Sequence, residues 1–187
     1  MSPQLRQHFE KITPLSDQEF EYISTHFVAK KFKKHQFLVQ EGVPVPNDFF
    51  VIKGLVKASF TNDENKEHIL QFAMEDWWVC DYQAYFNKTN ATLNVDCLED
   101  TEVLCLSLTN REKLCAELHK IEHFFRRKSN SGYIALQQRI LSLMNSDAKG
   151  RYESFLKQHP TLFQRVPKTL IASYLGVSRE TLSRLSS

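Results

Sequence analysis

Two kinds of periodicity divide this chain, and the point where one gives way to the other limits what it can fold into. From Val28 to about Leu108, apolar residues come in short runs separated by turn formers. Phe37-Leu38-Val39 is followed by Gln40-Glu41-Gly42 and a proline-bearing turn, Pro44-Val45-Pro46-Asn47-Asp48. Phe49 to Ile52 is closed by Lys53-Gly54, and Leu55 to Phe60 runs into Thr61-Asn62-Asp63-Glu64-Asn65, a hairpin signal. His68 to Phe72, Thr92 to Cys97 and Glu102 to Leu106 read as further strands. Many short strands with turns between them predict a small antiparallel barrel or roll. After Leu108 the apolar spacing becomes three and four, the period of a helix. The fold class is therefore α+β, with strands first and helices after.

Short helices are predicted ahead of the roll, within residues 3–26. Leu5, His8 and Phe9 share a face there, and Ser16 with Glu19 has the spacing of a capping box before Phe20 and Ile23. Behind the roll, Thr109 or Asn110 caps a helix that begins Arg111-Glu112-Lys113. A long helix follows over about Ile121 to Met144, roughly 36 Å at the usual rise. Tyr133, Leu136 or Gln137, Ile140 and Leu143 or Met144 form an apolar seam along it, with Gly132 as a weak spot or close-approach point. The seam suits either packing on its own domain or pairing with the same helix of a second subunit, and the length favours pairing. Ser146-Asp147 opens another helix with Tyr152, Phe155 and Leu156 on one face, ending before His159-Pro160. The expected domains are a roll with flanking helices over 1–118, a dimerisation helix over 119–145 and a C-terminal helical domain over 146–187.

The tail carries the most specific signal. Pro167 suits a first helical turn, Ile171 and Leu175 an inner face, and Ala172 a close crossing. Gly176 supplies a left-handed stop, Val177 plugs the corner, Ser178 caps a second helix, and Leu182 and Leu185 point inward. Two short helices with a three-residue turn containing glycine are the layout of a DNA-binding helix-turn-helix. Its outward residues fit that chemistry. Arg179 and Arg184 can grip guanine with paired hydrogen bonds, Glu180 can accept from cytosine, Ser183 lies on the same outward face, Lys168 and Thr169 stand ready for phosphates, and the capping Ser178 is the seventh residue expected at the DNA. From Gly150 onward there are six basic and two acidic residues, a net +4, which leaves −2 on the rest of a chain whose total is +2. A basic end on a slightly acidic body suits nucleic acid.

In this light the chain resembles the Crp/Fnr family of bacterial regulators, the catabolite-activator-like proteins, and more closely their divergent Bacteroidetes-type members. Leu175 to Arg184 is similar to the family's recognition segment. Gln40-Glu41-Gly42 and Phe50 to Val56 resemble the paired turns of its cyclic-nucleotide-binding β-roll, a double-stranded β-helix. The resemblance implies a homodimer joined through the 121–144 helix, base contacts from Arg179, Glu180 and Arg184, a palindromic operator, and work with RNA polymerase. It also implies an effector site in the roll, for which Trp78, Asp81, Tyr82 and Thr92 are the candidates.

Two departures qualify the likeness. Cyclic-nucleotide members carry a Gly-Glu that holds the ribose, and further on an Arg, then Ser or Thr, then Ala, that pairs with the cyclic phosphate. Here the first stretch is Asp76-Trp77-Trp78-Val79-Cys80-Asp81-Tyr82, and the second is Asn90-Ala91-Thr92-Leu93-Asn94 with Ala91 near the Arg slot. Lys88 is close but out of register. A buried phosphate without a cation is costly, so a small molecule other than cyclic AMP is the expected effector. Trp77, Trp78, Tyr82 and Tyr85 either line a pocket or are core, and core is the expectation. The N-terminal cysteine cluster of the iron–sulfur branch is missing. The chain also stops at Ser187, so the β-hairpin wing of many relatives is expected to be absent.

Other classes are weaker fits. The four cysteines, at spacings of 17, 8 and 10, form no metal-ligand pattern and read as buried small residues. A cupin-like metal enzyme would need clustered ligands, but His35 and His68 stand singly, and no catalytic triad or phosphate loop is visible. No enzyme activity, cofactor or metal is expected. The N-terminus lacks an apolar signal segment and no run is apolar enough to cross a membrane, so the cytoplasm is the expected compartment. The remaining alternative is an effector-binding or protein-interaction module that has lost DNA binding.

Overall fold

The computed structural model describes residues 2–185. These divide into two compact units, one of residues 2–58 and 73–129, the other of residues 59–72 and 130–185.

The first unit is an antiparallel β-roll wrapped on one side by helices. Strands β1 (Phe27–Phe32), β8 (Thr101–Ser107), β3 (Asn47–Lys53) and β6 (Trp78–Val79) form one sheet in that order. β2 (Phe37–Val39), β7 (Asn94–Cys97), β4 (Leu55–Thr61) and β5 (Glu67–Met74) form the other, with the tip of the β4–β5 hairpin belonging to the second unit. β8 is the hub, pairing Phe27↔Leu106 through Phe32↔Thr101 on one side and Asn47↔Ser107 through Val51↔Val103 on the other.

The unbroken apolar run Phe49 to Ile52 has a direct cause. Phe49 and Val51 enter the core of the roll with Val103, Cys105, Val56 and Val95. Phe50 and Leu106 face the opposite way, into a second core made with Leu5, Phe9, Phe20, Ile23, Leu114, Ile121 and Phe124. A strand buried on both faces loses the alternation of a half-exposed one. The helices of that second core are α1 (Pro3–Glu10), α2 (Asp17–Ser24), α4 (Leu108–Glu117) and the start of α5 (His119–Asn145). The Ser16–Glu19 capping box is present at α2. Gly54 sits at φ +111 between β3 and β4, where an added Cβ would lie 2.5 Å from Thr101 Oγ1, so no other residue fits that corner.

Two local expectations need correction, and a third stretch adds an element. The cap of α4 is Ser107, not Thr109 or Asn110: Ser107 Oγ accepts from the Asn110 backbone, while the Asn110 side chain reaches the His26 carbonyl. The strand predicted from Thr92 starts at Asn94, because the Thr92 and Leu93 amides donate to Asp81 instead of a sheet. Residues 82–87, to which the sequence assigns no element of their own, form a short helix, α3 (Tyr82–Asn87), with Asp81 as its N-cap.

The second unit comprises the latter part of α5, α6 (Ala148–Gln158), α7 (Pro160–Arg165), α8 (Lys168–Leu175), α9 (Arg179–Leu185) and the hairpin tip 59–72. Its interior contains Tyr152, Phe155, Leu162, Val166, Ile171, Ala172, Leu175 and Leu182, with Ile69 and Phe72 supplied by the hairpin. Along the latter part of α5 the apolar seam is bare, with Tyr133 71% and Met144 75% exposed.

Candidate functional site

The end of α8 is built from a complete C-terminal motif. Gly176 takes φ +67, its amide donates to the Ser173 carbonyl, and the Val177 amide donates to the Ala172 carbonyl five residues back. Both bonds satisfy carbonyls that a helix end leaves open. Two more are met by arginines: Arg139 donates to the Tyr174 carbonyl at 2.9 Å and Arg151 Nε to the Leu175 carbonyl at 2.9 Å. Cations at a helix C-terminus also meet the negative end of its dipole. Sequence reasoning counted Arg151 among the charges available to nucleic acid. It is instead half-buried and structural, and the signal that could have shown this is its place ahead of a helix end with no lysine or arginine of its own in the last turn.

The turn then hands the chain to α9. Ser178 Oγ accepts from the Thr181 amide at 3.1 Å, the expected cap, and Leu182 drops into the interior. With Leu182 inward, Arg179, Glu180, Ser183 and Arg184 are all exposed, as are Lys168 and Thr169 on α8. They converge. Pro167, Lys168, Thr169, Arg179 and Ser183 line one surface depression, and Arg179, Glu180, Ser183 and Arg184 line another that shares Arg179 and Ser183 with it. Six of the seven residues predicted for nucleic acid thus meet on one surface, while Ser178 is engaged as the cap. Pro167, read from sequence only as a helix start, adds its ring to the groove.

The electrostatics of this surface are mixed by design of the sequence. Three cations, Lys168, Arg179 and Arg184, and one carboxylate, Glu180, lie along it. Glu180 accepts from its own backbone amide and from Ser178, with Arg179 and Arg184 nearby, and its pKa is held below the ordinary range. It is therefore an acceptor at neutral pH, and the arginines are donors only. The groove offers paired donors, one acceptor and a hydroxyl, the set needed to read base edges, with an amine and a threonine at its margin.

The four effector candidates are distributed differently. Asp81 and Thr92 meet each other. The fully buried Asp81 carboxylate accepts from the Ala84 amide through Oδ1, and through Oδ2 from the Thr92 amide at 2.7 Å, the Thr92 hydroxyl at 3.0 Å and the Leu93 amide at 3.1 Å. Trp78 lies in the other core, against Phe50 and Phe125, and donates from Nε1 to His8 Nε2 at 3.1 Å. Tyr82 presents a partly exposed ring, yet its phenol hydrogen-bonds Asp48, and burial raises its pKa well above the usual value. Asp48 is itself buried against Arg111 at 3.3 Å, and desolvation pushes its carboxyl up. Ala91 is buried, Lys88 is an exposed left-handed residue at the end of α3, and Lys57, a buried lysine of the roll, is paired with Asp96 at 3.0 Å. Trp77 packs against the roll core and Tyr85 is buried within it.

Among the described residues no group of three or more His, Cys, Asp or Glu could hold a metal ion. The cysteines are free: Cys80, Cys97 and Cys105 are buried and Cys115 half-buried. Burial raises all four thiols, which makes them poor nucleophiles. No described helix is long and apolar enough to cross a membrane.

Comparison with known proteins shows where this fold recurs. Residues 29–117 match the cyclic nucleotide-binding domain family. FixK2 from Bradyrhizobium japonicum has the same fold at a TM-score of 0.74 and 16% identity, over 86% of this chain and 82% of that one. CLP, the c-di-GMP-responsive global regulator of Xanthomonas campestris, aligns at 0.73 and 15% identity, over 91% and 89%. The catabolite activator protein of Thermus thermophilus aligns at 0.57 and 19%, over 92% and 82%. No curated protein matches at the level of sequence.

Proposed function

We infer that this chain is a regulator of the Crp/Fnr type, a non-enzymatic protein with a cyclic-nucleotide-binding-type roll, and from that premise we propose that it reads DNA through α9. One observation carries the proposal: Lys168, Thr169, Arg179, Glu180, Ser183 and Arg184, six residues from two helices, share one exposed surface set by the Gly176 turn. In this reading α8 and α9 form the helix-turn-helix. Arg179, Glu180, Ser183 and Arg184 contact base edges, while Lys168 and Thr169 hold phosphates.

The working form is a homodimer. The exposed apolar residues Tyr133, Leu136, Ile140, Leu143 and Met144 recur at three- and four-residue steps on α5, and a second copy of the helix would cover them. Two-fold symmetry would set the recognition helices about 34 Å apart, one turn of DNA, on a palindromic operator. As a regulator of genes it would act in the cytoplasm and with RNA polymerase. The roll's effector is not a cyclic nucleotide in this reading: Ala91 offers no cation, and the donors of Thr92 and Leu93 already serve Asp81.

Selection of random duplex DNA by the purified protein, in parallel with Arg179→Ala, tests the proposal. Enrichment of one two-fold symmetric site, relaxed in the variant, is expected. No enrichment at low salt from a folded dimer would overturn it in favour of an interaction module.

A further inference from the structure

The segment 59–72 comes from the roll's β4–β5 hairpin but clusters with the C-terminal helices, and the ties that hold it there converge on α8. The Arg139 guanidinium, on α5, donates from one nitrogen to the Ile69 carbonyl at 3.0 Å and to the Tyr174 carbonyl at 2.9 Å, and lies over the Tyr174 ring at 3.7 Å. Ser173 Oγ donates to the Glu67 carbonyl at 2.8 Å. Phe72 packs on the Tyr174 ring at 5.4 Å, and that ring in turn meets Phe155 of α6 at 5.2 Å. One side chain therefore joins three elements: the long helix, the hairpin strand and the last turn of α8. The acceptors are backbone carbonyls, so the contacts report where the strand and the helix lie and not which side chains they carry. A lysine could make one of these bonds but has neither the planar fork nor the stacking face.

Resting on the DNA-reading proposal, we infer that Arg139 is a positioning residue for DNA recognition: within the second unit it fixes α8 to the hairpin segment 59–72, and so holds α8 and the α9 that follows it in one arrangement. In the latched arrangement Lys168, Thr169, Arg179, Glu180, Ser183 and Arg184 all remain exposed, so the latch holds the reading surface open.

The test separates positioning from phosphate contact by salt dependence. Each lost phosphate contact flattens the slope of log affinity against log salt by about 1. Arg139→Ala is expected to weaken binding to the selected site about tenfold or more, as for a lost charged hydrogen-bond pair, with the slope unchanged. Arg179→Ala is expected to change base preference. Arg139→Lys should recover only part of the loss, and the milder Ser173→Ala, which removes the other tie, should push the same way and guards against a misfolded Arg139→Ala. Hydrogen exchange gives an independent reading that needs no DNA. Segments 59–72 and 168–175 should exchange faster together in Arg139→Ala. Exchange altered in α8 alone or in neither segment, or a reduced salt slope, would overturn the inference. If wild-type protein binds no DNA, the reading surface fails, while joint exchange still establishes the latch.

Discussion

The Asp81 carboxylate shows how much one residue can decide. It caps α3 and holds the 92–93 loop through four donors while buried from solvent. Removing it leaves those donors without an acceptor, which costs the cap and the desolvation of buried amides together. Asp81→Ala is expected to lower stability by about 2–4 kcal/mol, read as a shift in the denaturant midpoint. A neutral result would mean that water replaces the carboxylate. Residues of this kind were only partly legible. Asp81 and Thr92 are two of the four residues the sequence offers for an effector site, and the fold brings these two together as each other's partners. Nothing in linear spacing tells a carboxylate that awaits a ligand from one that satisfies its own loop.

At the scale of elements, the long strands and helices were legible because each has enough residues to display a period. α5 was expected over 121–144 and spans His119–Asn145. α3 was not, since its six residues give less than two turns and its Tyr-Gln-Ala-Tyr-Phe pattern reads equally as strand. The groove between α8 and α9 was legible because Gly176, Ser178 and the inward leucines are each dictated by local geometry. The role of Arg139 was not, since its partners are carbonyls 35 and 70 residues away in the chain. The bare seam of α5 gives the element's own prediction. Leu136→Glu with Ile140→Glu, both at exposed positions, should leave the monomer's stability nearly unchanged and abolish dimers in sedimentation. A dimer that persists would show that the subunits pair elsewhere.

At the scale of the whole fold, the roll and its helical coat are joined through a histidine. His8 of α1 is buried, with Nδ1 on Asp76 at 2.7 Å and Nε2 accepting from Trp78. Burial, helped by Lys128, outweighs Asp76 and lowers its pKa from 6.5 to about 4. The folded state therefore binds this proton more weakly than the unfolded chain. Its contribution to stability is full above pH 6.5 and is lost as pH falls toward 4. The unfolding midpoint of the roll should fall over that window, and His8→Gln should flatten the fall. An equal slope in the variant would assign the acid sensitivity to other groups.

The two units are interleaved along the sequence: residues 59–72, enclosed on both sides by the first unit's chain, complete the second. Evolution by shuffling of modules needs a crossover point at which a segment can be exchanged whole, and the region near residue 130 is not one. A fragment beginning at Asn130 would arrive without Ile69 and Phe72, removing the ring that packs on Tyr174 from the hairpin side and one of the two carbonyls that Arg139 holds. A new roll grafted onto these C-terminal helices must bring a matching hairpin, so the two stretches of chain must change sequence together.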